Sequence, residues 1–126
     1  MRRTLAAGNW KMNGDAAMLE ALGALQAPES DAGTDILICP PATLLAQAVA
    51  ASAHSPVAIG GQDCHSAASG PHTGDLSAAT IKAAGASTVI VGPSERRADP
   101  GKTNATHRPN LHAACGPDVL PIPCTG

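Results

Sequence analysis

The stretch TVIVGPSERR, Thr88–Arg97, decides how the rest of the chain is read. Its first four residues are all β-branched, and Gly92 then leads into a tight polar and charged cluster. A run this short, with side chains stiff at χ1, predicts a buried strand over Thr88–Gly92, with Ser94–Arg97 at its carboxyl end. In α/β proteins ligands gather at that end of the sheet. Pro93 stands in the cluster where a side chain able to polarise a substrate would be useful.

Working outward, four further apolar runs carry the same signal: Thr4–Asn9 (TLAAGN), Asp35–Cys39 (DILIC), Val57–Gln62 (VAIGGQ) and Val119–Cys124 (VLPIPC). Each is too short for a helix and is bounded on at least one side by Gly, Pro, Asn or Asp. The strand starts fall about 22 to 31 residues apart, a βα period. The gaps have helical spacing. Asn13-Gly14-Asp15 reads as a turn and cap, and Met18, Leu19, Leu22 and Leu25 then fall on one helix face. Leu45, Ala48 and Val49 do the same more weakly after Pro40-Pro41, and Ser77 caps a short helix, Ala78–Ala84, that Gly85 ends. Such alternation predicts a parallel sheet with right-handed crossovers in a single domain, residues 1–126.

The last segment departs from the pattern. Thr103–Cys115 is where a fourth helix is expected, yet Pro109 sits in its middle, where proline costs ~3 kcal/mol. Pro121 and Pro123 alternate in the fifth strand, so both missing N–H groups face one edge and pairing on that side is incomplete. Residues 103–126 are expected to be poorly ordered.

Composition bounds the function. The chain has 126 residues, is 44% hydrophobic and carries a net charge of −2, which suits a globular fold. Trp10 is the only aromatic residue, so the core rests on aliphatic side chains and the expected stability is marginal. No basic stripe points to nucleic acid. No apolar run approaches the ~18 residues of a membrane span, and MRRTLAAGNW lacks the apolar stretch of a signal peptide. The expectation is a cytoplasmic protein with reduced cysteines. Cys39, Cys64, Cys115 and Cys124 form no CxxC pair. Cys115 and Cys124 with His107 and His112 can be drawn as a metal module, but the spacing matches no zinc pattern, so no metal is assigned.

Polar residues collect where the strands end: Asn9 and Lys11 after the first, Gln62 and Asp63 after the third, Ser94–Arg97 after the fourth. Lys11 and Asn9 suit an anion or a carbonyl oxygen, or else a solvated loop lysine and a turn asparagine. Glu95 beside Arg96 and Arg97 reads equally as a catalytic carboxylate or as one member of a structural ion-pair cluster.

AGNWKMNG (Ala7–Gly14), GGQDCH (Gly60–His65), TGDLSAATIKAAGASTVIVG (Thr73–Gly92) and SERR (Ser94–Arg97) together resemble triosephosphate isomerase. Several separate motifs stand in that family's order and at its spacing. The resemblance implies a partial (β/α)8 barrel, roughly its first four βα units plus a fifth strand, about half of the ~250 residues typical of the whole. It implies interconversion of dihydroxyacetone phosphate and glyceraldehyde 3-phosphate in glycolysis and gluconeogenesis, by proton transfer through an enediolate and without a cofactor. That reaction is itself a standard worked case of pKa tuning. Residue by residue, Asn9 and Lys11 match substrate-contacting positions, with Lys11 lending positive charge to the phosphate and the developing oxyanion. Glu95 matches the glutamate of the HSERR motif, and Cys124 a cysteine beside the active site. Thr73 matches the threonine of a loop that enters the partner subunit of a homodimer.

The departures concentrate after Gly92. Pro93 occupies the position of the electrophilic histidine and offers neither a side-chain proton nor a backbone N–H. Lys102 stands where the family usually has a structural glutamate. The family's catalytic base, closing loop and phosphate loops belong to the half of the barrel that the resemblance does not cover. Acid–base groups contribute ~10²–10⁴-fold each, so this chain is expected to be inactive or nearly so. The alternative is a non-catalytic half-barrel that binds phosphate or self-associates.

Overall fold

The computed structural model describes residues 3–24, 33–91 and 119–123. Its strands are β1 (Thr4–Asn9), β2 (Thr34–Cys39), β3 (Ala58–Gly61), β4 (Thr88–Val91) and β5 (Leu120–Pro123), with helices α1 (Leu19–Ala24), α2 (Leu45–Ala51) and α3 (Ala78–Ala83) between them. The five strands form one parallel sheet in the order β1-β2-β3-β4-β5. The strands are parallel, as the alternation predicted, and the sheet curls into half of a (β/α)8 barrel, as the family resemblance implied.

The local signals act as read. The Asp15 carboxylate accepts the backbone N–H of Ala17 and Met18 at 3.0 and 3.2 Å, satisfying donors that a helix start otherwise leaves orphaned. Ser77 Oγ accepts the N–H of Thr80 at 3.2 Å and caps α3. Gly85 ends that helix at φ +103°, and a Cβ there would lie 2.6 Å from Val49 Cγ1, so only glycine fits.

Several expectations shift: the fifth strand, read as Val119–Cys124, starts at Leu120, with Cys124 outside the described residues, and the third helix ends at Ala83 with Ala84 as its cap. Met18 does not share the buried face of Leu19 and Leu22. Ala16–Met18 is a 3-10 turn ahead of α1, and its tighter winding leaves Met18 exposed. The predicted third strand, Val57–Gln62, contracts to Ala58–Gly61. Val57 precedes the ladder, and the Gln62 side chain turns to other work described below. The second strand begins one residue earlier than read, at Thr34. Leu25, the Thr103–Cys115 helix with its Pro109, and Lys102 lie outside the described residues.

Two aliphatic layers hold the sheet. On its convex side, Leu19 and Leu22 of α1, Leu45 and Ala48 of α2, and Ile81 of α3 pack on Ile59, Val89 and Val91. On its concave side Leu37, Cys39 and Ile90 form a smaller cluster with Ala58 and Ile122 against it. Every residue of β4 is buried, whereas Thr4–Ala7 of β1 is exposed along its whole length. Leu120 N–H donates to Ser87 O at 3.0 Å. Strand alternation therefore turns the Pro121 and Pro123 nitrogens away from β4, towards the outer edge. The proline alternation seen in the sequence thus leaves the β4–β5 ladder intact. Among the described residues no helix is long and apolar enough to cross a membrane.

Candidate active site at the carboxyl ends of the strands

The first strand delivers its functional residues by a backbone device. Asn9 is the last residue of β1 and stands in register with Cys39, the last of β2. The chain then leaves the sheet, and Trp10 N–H still reaches Cys39 O at 3.0 Å. Lys11 takes a left-handed conformation, φ +55°, the only such residue other than glycine among those described. A left-handed backbone at a side-chain-bearing residue costs on the order of 1–3 kcal/mol and persists where its surroundings enforce it.

Both sides of Lys11 are held. Its N–H donates to Asn9 Oδ1 at 2.8 Å, and its carbonyl accepts from Gln62 Nε2 at 2.7 Å. The second hydrogen of the same amide nitrogen serves Cys39 O at 3.0 Å. One side chain from the end of β3 therefore ties down the ends of β1 and β2 together. Asn13 Nδ2 donates to Trp10 O at 2.9 Å. At Gly14 the chain adopts φ +109°, and a Cβ would meet Trp10 Cε3 at 2.8 Å, so the turn that returns the chain to Asp15 requires glycine.

The outcome is an exposed lysine side chain mounted on a fixed, strained backbone at the carboxyl end of a parallel sheet. A cationic group so placed can meet an anion or a negatively charged oxygen. Asn9, by contrast, uses its side-chain oxygen internally, leaving its amide N–H groups as donors. Thr73 lies in a separate exposed turn between β3 and α3, next to Gly74 at φ +89°. Pro93, Glu95 and Cys124 fall outside the described residues, as do His107, His112 and Cys115 of the metal module. Gln62 was visible in the sequence only as a polar residue at a strand end. Its role as the brace of Lys11 depends on a contact across 51 positions, which no local pattern announces.

The opposite end of the sheet has a different character. Arg3 Nε donates to both carboxylate oxygens of Asp35 at 3.0 Å, with Nη2 at 2.8 Å from Oδ1. This hydrogen bond, with the attraction of the guanidinium charge, holds the Asp35 carboxyl below its ordinary range. Both groups are exposed, so the pair contributes little to stability.

Comparison with known proteins agrees with this arrangement. The family model described as triosephosphate isomerase matches residues 4–126. A curated triosephosphate isomerase from Ruegeria pomeroyi is 54% identical over 126 residues, covering 100% of this chain and 50% of the relative. Another, from Afipia carboxidovorans, is 53% identical over 129 residues, covering 98% of this chain and 50% of the relative. The crystal structure of triosephosphate isomerase from Bartonella henselae superposes with a TM-score of 0.85 at 42% identity, over 98% of this chain and 51% of that one. The chain spans about half the length of the curated relatives it matches. By sequence and by fold, the chain belongs to the triosephosphate isomerase family.

Proposed function

We propose that this chain carries the substrate-anchoring half of a triosephosphate isomerase site and is itself catalytically silent or nearly so. The observation that carries the reading is the left-handed Lys11, braced by Asn9 and Gln62. Its ammonium group is assigned to the phosphate of a triose phosphate and to the oxyanion that develops when a carbon-bound proton is removed. Fixing the backbone in advance means that little ordering is needed when substrate arrives. Asn9 is the second substrate contact, and Glu95 is placed in the catalytic set. No cofactor enters this chemistry. The locations and partners that go with it are the cytoplasm, glycolysis and gluconeogenesis, and a homodimer formed through the loop that bears Thr73.

Pro93 is the reason for assigning silence. Proton transfer next to a carbonyl needs a donor to polarise the carbonyl oxygen and a base to take the proton, and proline supplies neither. A second reading has its own support. Leu5 and Leu120 are large apolar residues, 46% and 65% exposed, on the two outer strands of the sheet. That arrangement favours a self-associating half-barrel.

The test is an isomerase assay of the chain beside its Pro93→His variant and a full-length relative, with phosphoglycolate titrated into chain and Lys11→Ala variant. The expected outcome is no turnover in either form of the chain, with weak phosphoglycolate binding that Lys11→Ala removes. Turnover by the unaltered chain would refute the silent reading. Binding that survives Lys11→Ala would refute the anchoring role. A monodisperse monomer on size-exclusion chromatography would refute self-association.

A further inference from the structure

Lys11 is exposed, yet its backbone is held in a conformation that few side-chain-bearing residues adopt. Asn9 and Gln62 bond its N–H and its carbonyl, but exposed hydrogen bonds compete with water and stabilise modestly. The residue before it brings a different kind of support. Trp10 is the sole aromatic residue of the chain, and it is half-buried against the convex-side cluster that includes Leu19, Leu22 and Leu44. The six-membered edge of its ring abuts Gly14. A Cβ at Gly14 would stand 2.8 Å from Trp10 Cε3, 3.1 Å from Cζ3 and 3.6 Å from Leu44 Cδ1. The main chain of Trp10 is engaged as well: its N–H donates to Cys39 O at 3.0 Å, and its carbonyl accepts from Asn13 Nδ2 at 2.9 Å. The turn of residues 10–14 is therefore folded back over this one ring.

We infer that Trp10 is a positioning residue for Lys11, an apolar wedge between the aliphatic core and the 10–14 turn that fixes the lysine from the core side. An ammonium group is strongly hydrated and stays in water, so Lys11 cannot be fixed by burying its own charge. Its neighbour can be buried in its place. A large, rigid aromatic side chain gives much apolar contact for few rotatable bonds, and Gly14 lets the backbone close on it. Leu44 follows the end of β2, so the ring ties the first βα unit to the second, as Gln62 ties it to the third.

The two kinds of support divide the task. Asn9 and Gln62 set the backbone conformation at Lys11, and Trp10 sets where the turn stands against the sheet. Misplacing a binding group by about 1 Å can cost ~10²-fold, so a turn that rocks on a smaller side chain loses its hold on phosphate. That consequence rests on the anchoring role proposed for Lys11, whereas the wedge itself does not.

The experiment compares the full 126-residue chain with its Trp10→Ala, Trp10→Leu, Trp10→Phe and Val119→Ala variants. NMR follows solvent exchange of the Lys11 backbone amide, calorimetry follows phosphoglycolate binding, and circular dichroism verifies the fold. Exchange at an exposed turn follows local opening and not global stability, so a merely structural role would leave it unmoved. Val119 is a buried member of the same cluster beside β5, at the far side of the sheet from β1, so Val119→Ala weakens the core without touching the turn. Trp10→Ala and Trp10→Leu are expected to speed Lys11 exchange and weaken phosphoglycolate binding, each by about tenfold or more. Trp10→Phe largely restores both, and Val119→Ala changes neither. Trp10→Leu decides the matter if Trp10→Ala does not fold. The inference is overturned by unchanged Lys11 exchange in Trp10→Leu, or by an equal rise in Val119→Ala. Loss of the fold in Trp10→Leu also overturns it, because Trp10 would then be a plain core residue. Failure of the unaltered chain to bind phosphoglycolate refutes the anchoring role of Lys11 instead, and the exchange rates still decide the role of Trp10.

Discussion

β1 and β4 are strands of the same parallel sheet and are built on opposite terms. β1 pairs with β2 over six residues and is exposed from Thr4 to Ala7, while β4 pairs with β3 at two positions and with β5 at four and is buried throughout. The sequences say why. TLAAGN offers one large apolar side chain, whereas Val89 and Ile90 of TVIV fill the two sides of the sheet. Backbone pairing positions a strand but stabilises it modestly, because each internal hydrogen bond replaces one to water. Burial of apolar area supplies the larger share. The lesson is a division of labour: β4 holds the domain together, and β1 carries Asn9 and Lys11 to where they are used.

The largest expected break of this contrast is Ile90→Ala, which should cost about 2–5 kcal/mol, enough to unfold a marginal domain. Ile90→Val keeps the effect measurable at about 0.5–1.5 kcal/mol. Leu5→Ala, at an exposed position of β1, should cost about 1 kcal/mol or less. Urea denaturation followed by circular dichroism measures all three, and equal costs at Ile90 and Leu5 would erase the distinction between the strands.

A smaller effect tests how β1's tail is held. Gln62→Glu replaces a two-hydrogen donor with a carboxylate facing Lys11 O and Cys39 O, turning two hydrogen bonds into acceptor–acceptor contacts. We expect a loss of about 1–3 kcal/mol together with loss of phosphoglycolate binding, because Lys11 would no longer be fixed. Binding that persists at full strength in this variant would show that the brace is dispensable.

The smallest effect lies at the amino end. Asp35 has a folded-state pKa below its unfolded value, so its contribution to stability is present above the ordinary carboxylate range near ~4. That contribution disappears as pH falls through the depressed folded value. Arg3→Ala should flatten this acid-side slope and lower stability at neutral pH by the same amount, which is small because both groups are exposed. A large shift at pH 7 would contradict the exposed character of the pair.

How much of this was legible in the sequence follows the range of the forces involved. β1 was read with its observed bounds, and the caps at Asp15 and Ser77 were visible because capping acts over three residues. Met18 was misassigned because a 3-10 turn and an α-turn share the same apolar spacing over so short a run. The ends of β3 were missed because Val57 is apolar enough to extend the run, while the ladder registers only Ala58 and Ile59 against β2. Lys11 could be singled out by type and place but not its left-handed backbone, since nothing local forces a lysine there. That conformation is held by the neighbouring Asn9 and by Gln62, and the Gln62 contact spans 51 positions.

The two prolines of β5 carry one more consequence. With Pro121 and Pro123 turned outward, the outer edge of β5 presents carbonyl groups and no N–H over those positions. A strand from another copy can lend donors to that edge but gains none in return, so edge-to-edge addition there forgoes half of its ladder. The β1 edge has no such defect. Among the described strands, β1 is thus the edge able to exchange hydrogen bonds in both directions with an added strand.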